Sequence, residues 1–414
     1  MGLLSSLAHP EEVVALLKFK FGGCETVMPK CDFSTMPPTR RRCYEFLKMT
    51  SRSFAAVIQA LEGDLRDAVC IFYLVLRALD TVEDDMTIPI DVKVPMLKAF
   101  YTHLRESDWR FMESNEKDKM VLEEFPVIAT EFQALAPIYQ TVISDICQQM
   151  GEGMTIYLDQ SPDSMDDWNE YCHYVAGLVG IGLSRLFSAS AMEDTVVGED
   201  TRLANSMGLF LQKTNIIRDF LEDVLQEREF WPKEAWGKYG KKMLELSRPE
   251  KRGDAVACLN ELITNALHHI PDVLTYMSRL RNQSIFNFCA IPQVMAVATL
   301  ERCYNNPAVF AGVVKIRKGE AVKMMMEATT MDSVKAIFSH FTTHIKERIP
   351  PNDPSVVTTR AIVDRTLTLT KVEQPYVSTS AYYPLYVSCA MLMGAIVWQY
   401  WTGISNVVNN VSSS

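Results

Sequence analysis

Asp80, Glu83 and Asp84 stand at i, i+3 and i+4 in the stretch Y-L-V-L-R-A-L-D-T-V-E-D-D. On a helix that spacing stacks three carboxylates on one face, and Tyr73 and Arg77 continue the same face toward the N-terminus. Like charges so placed repel, so a helix that keeps them together needs a compensating cation. Hard oxygen donors at loose spacing suit Mg²⁺, which keeps several waters and completes its shell with substrate phosphates. A second stretch, residues 205–223, reads N-S-M-G-L-F-L-Q-K-T-N-I-I-R-D-F-L-E-D. Its Gln212, Asn215, Asp219 and Asp223 share one face at spacings of three and four, with Arg218 adjoining. A single acidic pair is ordinarily a solvated face. Two pairs, each inside an apolar helix, form the arrangement that clamps a metal–diphosphate between facing helices.

The elements that must position these residues are helical. Apolar residues around the first acidic group recur at helical spacing with no Gly or Pro between them, which predicts a buried helix over 73–85. Thr50-Ser51-Arg52-Ser53-Phe54 is a hydroxyl-rich break between apolar helices, suited to a loop that folds over a phosphate, with Arg52 as a bidentate fork. Gly151, Gly153, Gly177, Gly180 and Gly182 fall inside helical patterns. Each costs about 1 kcal/mol against alanine there, so close approach of a neighbouring helix or of substrate is expected. No strand precedes them, which excludes a dinucleotide-binding turn. The uncharged run from Ser284 to Leu300 is interrupted by Pro292 and flanked by Arg281, Glu301 and Arg302, so it reads as a core helix and not a membrane span.

A net charge of −10 with no Lys/Arg-rich stripe excludes nucleic acid as a partner; Arg40-Arg41-Arg42 is too short to reverse that. The 10 cysteines include no C-x-x-C pair and read as buried thiols of a reducing compartment. Glu11 and Glu12 break the N-terminal apolar run, against a secretory signal, although Met-Gly-Leu-Leu-Ser-Ser fits a myristoylation pattern at Gly2. With no repeat and no alternating β pattern, the chain is expected to be all-α: one helical domain over 1–350, then a linker over 351–384. Residues 385–403 form a charge-free apolar run, about 28 Å long as a helix against a hydrocarbon core of about 30 Å. Tyr386 lies near one end and Trp398, Tyr400 and Trp401 near the other, where interfacial aromatics belong. Arg360, Arg365 and Lys371 precede it, which predicts a tail anchor with the helical domain on the cytoplasmic side and a short tail over 404–414.

The D-T-V-E-D and D-F-L-E-D motifs, S-R-S-F at 51–54, Y-C-H-Y-V-A-G-L-V-G at 171–180 and V-K-I-R-K-G at 314–319 together resemble the squalene synthase family, of the animal type. The resemblance spans roughly residues 8–350 and includes the C-terminal anchor. It implies an isoprenoid-synthase-type fold with a central cavity, a monomer on the endoplasmic reticulum membrane, and Mg²⁺ and NADPH as cofactors. Two farnesyl diphosphates would join head to head to presqualene diphosphate, which is then rearranged and reduced to squalene. Asp80, Glu83, Asp84, Asn215, Asp219 and Asp223 would hold the metal. Phe54, Tyr73 and Phe288 would face the carbocations, whose charge aromatic faces stabilise. Tyr171 would take the proton lost on closing the cyclopropane, although a phenol with a reference pKa near 10 needs help from neighbours. Arg52, Arg77, Arg218, Lys315 and Arg317 form a cationic set for diphosphate and cofactor phosphate, undivided between the two. A phytoene-synthase-like coupling without reductant, and a catalytically dead tail-anchored scaffold, are the competing expectations; product analysis with and without NADPH separates them.

Overall fold

Helices alone build the described chain, and no strand occurs among the described residues. The computed structural model describes residues 9–21, 28–30 and 32–371, and of 52 and 53 the backbone only; the charge-free run at 385–403 lies outside them. The elements that place the site are α1 (Pro10–Lys20), α2 (Pro38–Thr50), α3 (Arg52–Gln59) and α4 (Gly63–Asp84), then α5 (Met165–Cys172), α6 (Leu178–Ala189), α7 (Thr201–Arg218) and α8 (Phe220–Leu225). They are followed by α9 (Gln283–Cys303), α10 (Lys318–Glu327), α11 (Met331–Glu347) and α12 (Val356–Leu369).

α4 and α7 are the two inner helices. Both bury residues on every side, including the consecutive Val69, Cys70, Ile71 and Phe72 in α4 and Ser206, Met207, Gly208, Leu209 and Phe210 in α7, as a helix must when other helices surround it. α6 packs against both. Glycine sets the spacing of α6 and α7: a Cβ on Gly180 would stand 2.3 Å from the Ala204 carbonyl oxygen, and one on Gly208 would stand 2.2 Å from that of Ala176. The expected close helix approach is therefore present at Gly180. α9 is 78% buried across its most apolar window, so the run from Ser284 to Leu300 is core, as its flanking charges imply.

Three expectations are corrected. The polar stretch at 50–54 is no loop: α2 ends at Thr50, Ser51 is the single non-helical residue, and its hydroxyl caps α3 by accepting from the Phe54 amide at 3.3 Å. The second acidic stretch is not one continuous helix, because Asp219 (φ −94, ψ 11) separates α7 from α8. The amides of Asp219 and Asp223 still reach the carbonyls of Asn215 and Asp219 at 2.9 and 3.1 Å, so the i,i+4 stacking survives the bend. Finally, the linker expected over 351–384 is packed helix over 356–369. Thr359, Ile362, Val363 and Thr366 of α12 are buried at helical spacing, and Thr359 bonds Thr264 at 2.7 Å. That amphipathic face is built partly of threonine, which neither favours helix nor reads as apolar.

Thr370 is fully buried and closes α12. A chain ending after Lys371 is expected to fold as the full chain does. One ending after Asn352 exposes the face that α12 covers and should lose the cooperative melt. Circular-dichroism melts of the two truncations check this.

Candidate active site

A cavity of ≈ 440 Å³ lies between α3, α4, α6, α7 and α9. Its walls are mostly apolar, from Ile58, Val69, Phe72, Val179, Leu183 and Leu211. Phe54, Tyr73 and Phe288 all line it. The Phe54 and Tyr73 rings lie 6.0 Å apart, and Phe288 meets Phe187 edge-on at 5.9 Å. Burial raises the Tyr73 phenol, while the hydroxyls of Thr50 and Ser51 draw it back. Polar groups gather at Arg77, Asp80, Gln212 and Asn215, which the cavity also touches.

Those four mark where the acidic stretches meet. Asp80 is pushed up to about 8, by burial first and then by the charge of Asp84, with Arg77 opposing. Asp223 is pushed up to about 7, again by burial, and both Asp219 and Asp84 add to it. Asp84 and Asp223 come from different helices, and the charge of Asp84 acts on Asp223, so the two acidic faces lie near one another. Burial and Asp84 also raise Glu83.

The counter-charge is Arg228, which belongs to none of the sequence motifs. Its Nη1 stands 2.7 Å from Asp84 and its Nη2 3.9 Å from Glu83. The chain turns back to put it there. Glu227 has φ +60, and the amides of Glu227 and Arg228 bond the carbonyls of Val224 and Asp223 at 3.1 and 2.9 Å. This is a Schellman turn with a glutamate where glycine normally sits, a strained choice of about 1 kcal/mol. The sequence signal was an arginine five residues beyond an aspartate, with no glycine to announce the turn.

Tyr171, the last residue but one of α5, is buried. Its ring stacks on Phe230 at 5.3 Å, and Phe230 in turn carries the Arg228 guanidinium 4.8 Å above its face. Burial and then the charge of Glu83 raise the phenol well above its ordinary value, with Arg228 opposing. Tyr171 does not line the cavity but borders the acidic cluster. Immediately after it the backbone makes a π-helical turn, His173–Gly177, which brings Val175 and Ala176 to the cavity wall. Such turns concentrate at functional sites. His173 Nδ1 bonds Asn205 Oδ1 at 2.7 Å and ties the turn to α7.

The cationic set divides. Arg77 lines the cavity and pairs with Asp118 at 2.8 Å. Arg218 forks onto its neighbour Asp219, Nε to Oδ1 at 2.8 Å, away from the cavity. The Arg52 side chain lies outside the described residues. Lys315 and Arg317 line a separate groove of ≈ 540 Å³ with Arg302, Asn306 and Gly312. Residues 313–317 precede α10 in neither helix nor strand, with Arg317 extended (φ −66, ψ 145), and both side chains line the same groove.

Among the described residues no three His, Cys, Asp or Glu side chains converge on one point as a closed metal centre would require. Asp219 is turned to Arg218, and Asp84 to Arg228. The donors nevertheless fit a hard cation of the Mg²⁺ type, which takes one or two carboxylates and finds its other ligands in water and phosphate. Buried carboxylates whose protons are held abnormally tightly are short of positive charge.

The Squalene/phytoene synthase family matches residues 47–320. The chain is 59% identical to squalene synthase of Homo sapiens over 410 residues, covering 99% of this chain and 98% of that one. It is 43% identical to squalene synthase 3 of Panax ginseng over 426 residues, covering 99% and 100%. A solved structure of TcSQS in complex with a ligand superimposes with a TM-score of 0.79 at 40% identity, covering 82% of this chain and 100% of that one.

Asp80 holds its proton to about pH 8 when folded, against an ordinary value of 3.8. Between those limits the folded state binds a proton that the unfolded chain has released, so this group lowers stability progressively as pH rises through that window. Asp80→Asn, which removes the buried charge, should therefore raise the metal-free melting temperature by ~2–4 °C at pH 8 and hardly change it at pH 4. Thermal melts in EDTA across that range check it.

Proposed function

The chain belongs to the squalene synthases, of the animal type, and on that premise we propose how its residues divide the work. The enzyme joins two farnesyl diphosphates head to head to presqualene diphosphate, then rearranges and reduces that product to squalene. The observation that carries the assignment of roles is the polarity of the cavity: apolar and aromatic along its walls, with the Asp80 carboxylate, Arg77 and the amides of Gln212 and Asn215 at the side where the other acids gather.

Mg²⁺, when bound, takes up the charge of the leaving diphosphate so that the carbon–oxygen bond breaks without protonation. Asp80 and Asp84 from α4, and Asn215, Asp219 and Asp223 from α7 and α8, are the residues that would hold it, with Glu83 beside them. Arg77 reaches the same region from the cavity wall and supports the diphosphate directly. Arg228 occupies the place of a missing cation against Asp84, and would release that carboxylate when a metal–diphosphate arrives. Arg52, at the start of α3, is the residue placed by sequence to close over the phosphate.

The cation left behind meets Phe54, Tyr73 and Phe288, whose ring faces stabilise charge without attacking it. Apolar walls keep out water, which would otherwise trap the cation as an alcohol. Tyr171 is the proton acceptor for closing the cyclopropane. Burial first, and then the charges of Glu83 and Asp84, keep its phenol protonated, so charge that offsets those carboxylates also makes the phenol easier to deprotonate.

NADPH, when bound, supplies the hydride of the second half-reaction. Lys315 and Arg317, with Arg302 on the same groove, suit its phosphates by charge and by position on extended backbone. Phe310, in the segment between the groove residues Ala308 and Ala311, packs on Phe220 of the second acidic segment, 5.0 Å between ring centres, which ties the groove's segment to α8. The charge-free run at 385–403 anchors the enzyme to the endoplasmic reticulum membrane with the helical domain in the cytosol.

Asp80→Asn or Asp219→Asn should slow turnover on the order of 10²–10³-fold at limiting Mg²⁺, read from farnesyl diphosphate consumption; near-normal rates would remove the clamp. Replacing Lys315 and Arg317 together by Ala should raise the KM for NADPH and let presqualene diphosphate accumulate. A time course of both products at low NADPH decides it. Wild-type squalene output and cofactor dependence in the double variant would place the cofactor elsewhere, and a wild-type enzyme making no squalene at saturating NADPH would contradict the activity itself.

A further inference from the structure

Glu12 is an acid buried at a helix contact. α1 packs along α10, and at that contact Glu12 is only 2% exposed. Its Oε1 accepts from Arg317 Nε at 2.8 Å and lies 2.6 Å from Nη2, while its Oε2 is buried with no partner. The approach is so close that only glycine fits opposite: a Cβ on Gly319 would stand 2.4 Å from the Cβ of Glu12. Arg317 also meets Glu320 at 3.3 Å, and Glu320 is held by Arg302 at 2.9 Å. The guanidinium on the wall of the cationic groove is thus already occupied, by a carboxylate from the far end of the chain.

That occupant is poorly satisfied. One oxygen has lost water and gained no partner in return, a penalty that is larger for a charged acceptor than for a neutral one. A phosphate brings more negative charge and three acceptor oxygens to the same fork, and arginine binds it bidentately. Exchange of carboxylate for phosphate at Arg317 relieves the buried oxygen and leaves α1 without its ionic hold on α10.

Resting on the reading that Lys315 and Arg317 receive the cofactor's phosphate, we propose that Glu12 is a specificity-determining competitor for Arg317. It fills the guanidinium until a phosphate displaces it, so that the N-terminal helix sets the affinity of the groove and loosens when the cofactor binds. The site thereby disfavours ligands without a phosphate to offer, because nothing else in them matches the charge they must replace.

The experiment uses the full chain and needs no turnover. NADPH is titrated by protein-fluorescence quenching, without farnesyl diphosphate, into wild type, Glu12→Gln, Gly319→Ala and Arg317→Ala. Glu12→Gln keeps the shape and removes the charge, so its Kd should fall about three- to tenfold. Gly319→Ala forces α1 away and should shift Kd in the same direction. Hydrogen exchange of the amides over 10–20 should speed up when wild type is saturated with NADPH. An unchanged or weaker Kd in Glu12→Gln, with Arg317→Ala still weakening binding, overturns the competitor and leaves the cofactor reading standing. If Arg317→Ala also leaves Kd unchanged, the cofactor reading fails and takes the competitor with it.

Discussion

The fold is organised around a repulsion. Asp80, Glu83 and Asp84 on α4 face Asp219 and Asp223 at the junction of α7 and α8, in a setting apolar enough to hold Asp80 protonated to about pH 8. A solvated acidic face would show no such shift; Asp80, Glu83 and Asp223 are partly withdrawn from water without a full counter-charge. Asp85, adjacent in sequence to Asp84, shows the contrast. It accepts from Thr87, Ser114 and Asn115 at 2.6–2.9 Å and is held down to about 2. One run of acids therefore contains a structural cap and a chemical site, and hydrogen bonding separates them.

What holds the repelling helices in place lies mostly outside the acids. Lys93 donates to the Glu83 carbonyl at 2.7 Å and satisfies the end of α4, where a cation is favoured. Lys213 of α7 is 1% exposed and bonds Asn169, Asn265 and His269 at 2.5, 2.6 and 3.0 Å, above the Trp168 ring. Asn169 stands two residues before Tyr171, so this buried cation ties the tyrosine's helix to the helix that carries Asn215. Its partners are all neutral, and burial lowers it to about 8. The cluster fixes a register by directed hydrogen bonds instead of charge pairing, which keeps another carboxylate away from the site.

Helical identity, the acidic faces, the buried α9 and the aromatic cavity wall were legible because each rests on a local period or spacing that survives folding. The features that were not legible depend on contacts between distant segments. Arg228 reaches Asp84 only through an αL glutamate, and no residue type announces that turn. The π-helical turn after Tyr171 looks like ordinary helix in sequence. α12 was hidden by its threonines, and Asp219 bends a helix whose pattern runs straight through it. The pairing of Glu12 with Arg317 joins positions 305 residues apart and has no local signature at all.

A chain of net charge −10 that binds diphosphates and a phosphorylated cofactor must make its affinity locally. The two sites do so in opposite ways. On the proposed division of roles, the acidic cluster beside the cavity repels a bare diphosphate and takes one together with cations, which couples substrate binding to the metal. The groove at 302–317 carries its own arginines and lysine and needs no added cation. Its excess charge is instead quenched from within, by Glu12 and Glu320. Arg228 offsets only part of the acidic cluster's charge, whereas Glu12 and Glu320 both face Arg317. On the proposed division of roles, a ligand phosphate at either place meets an arginine that already has a carboxylate partner.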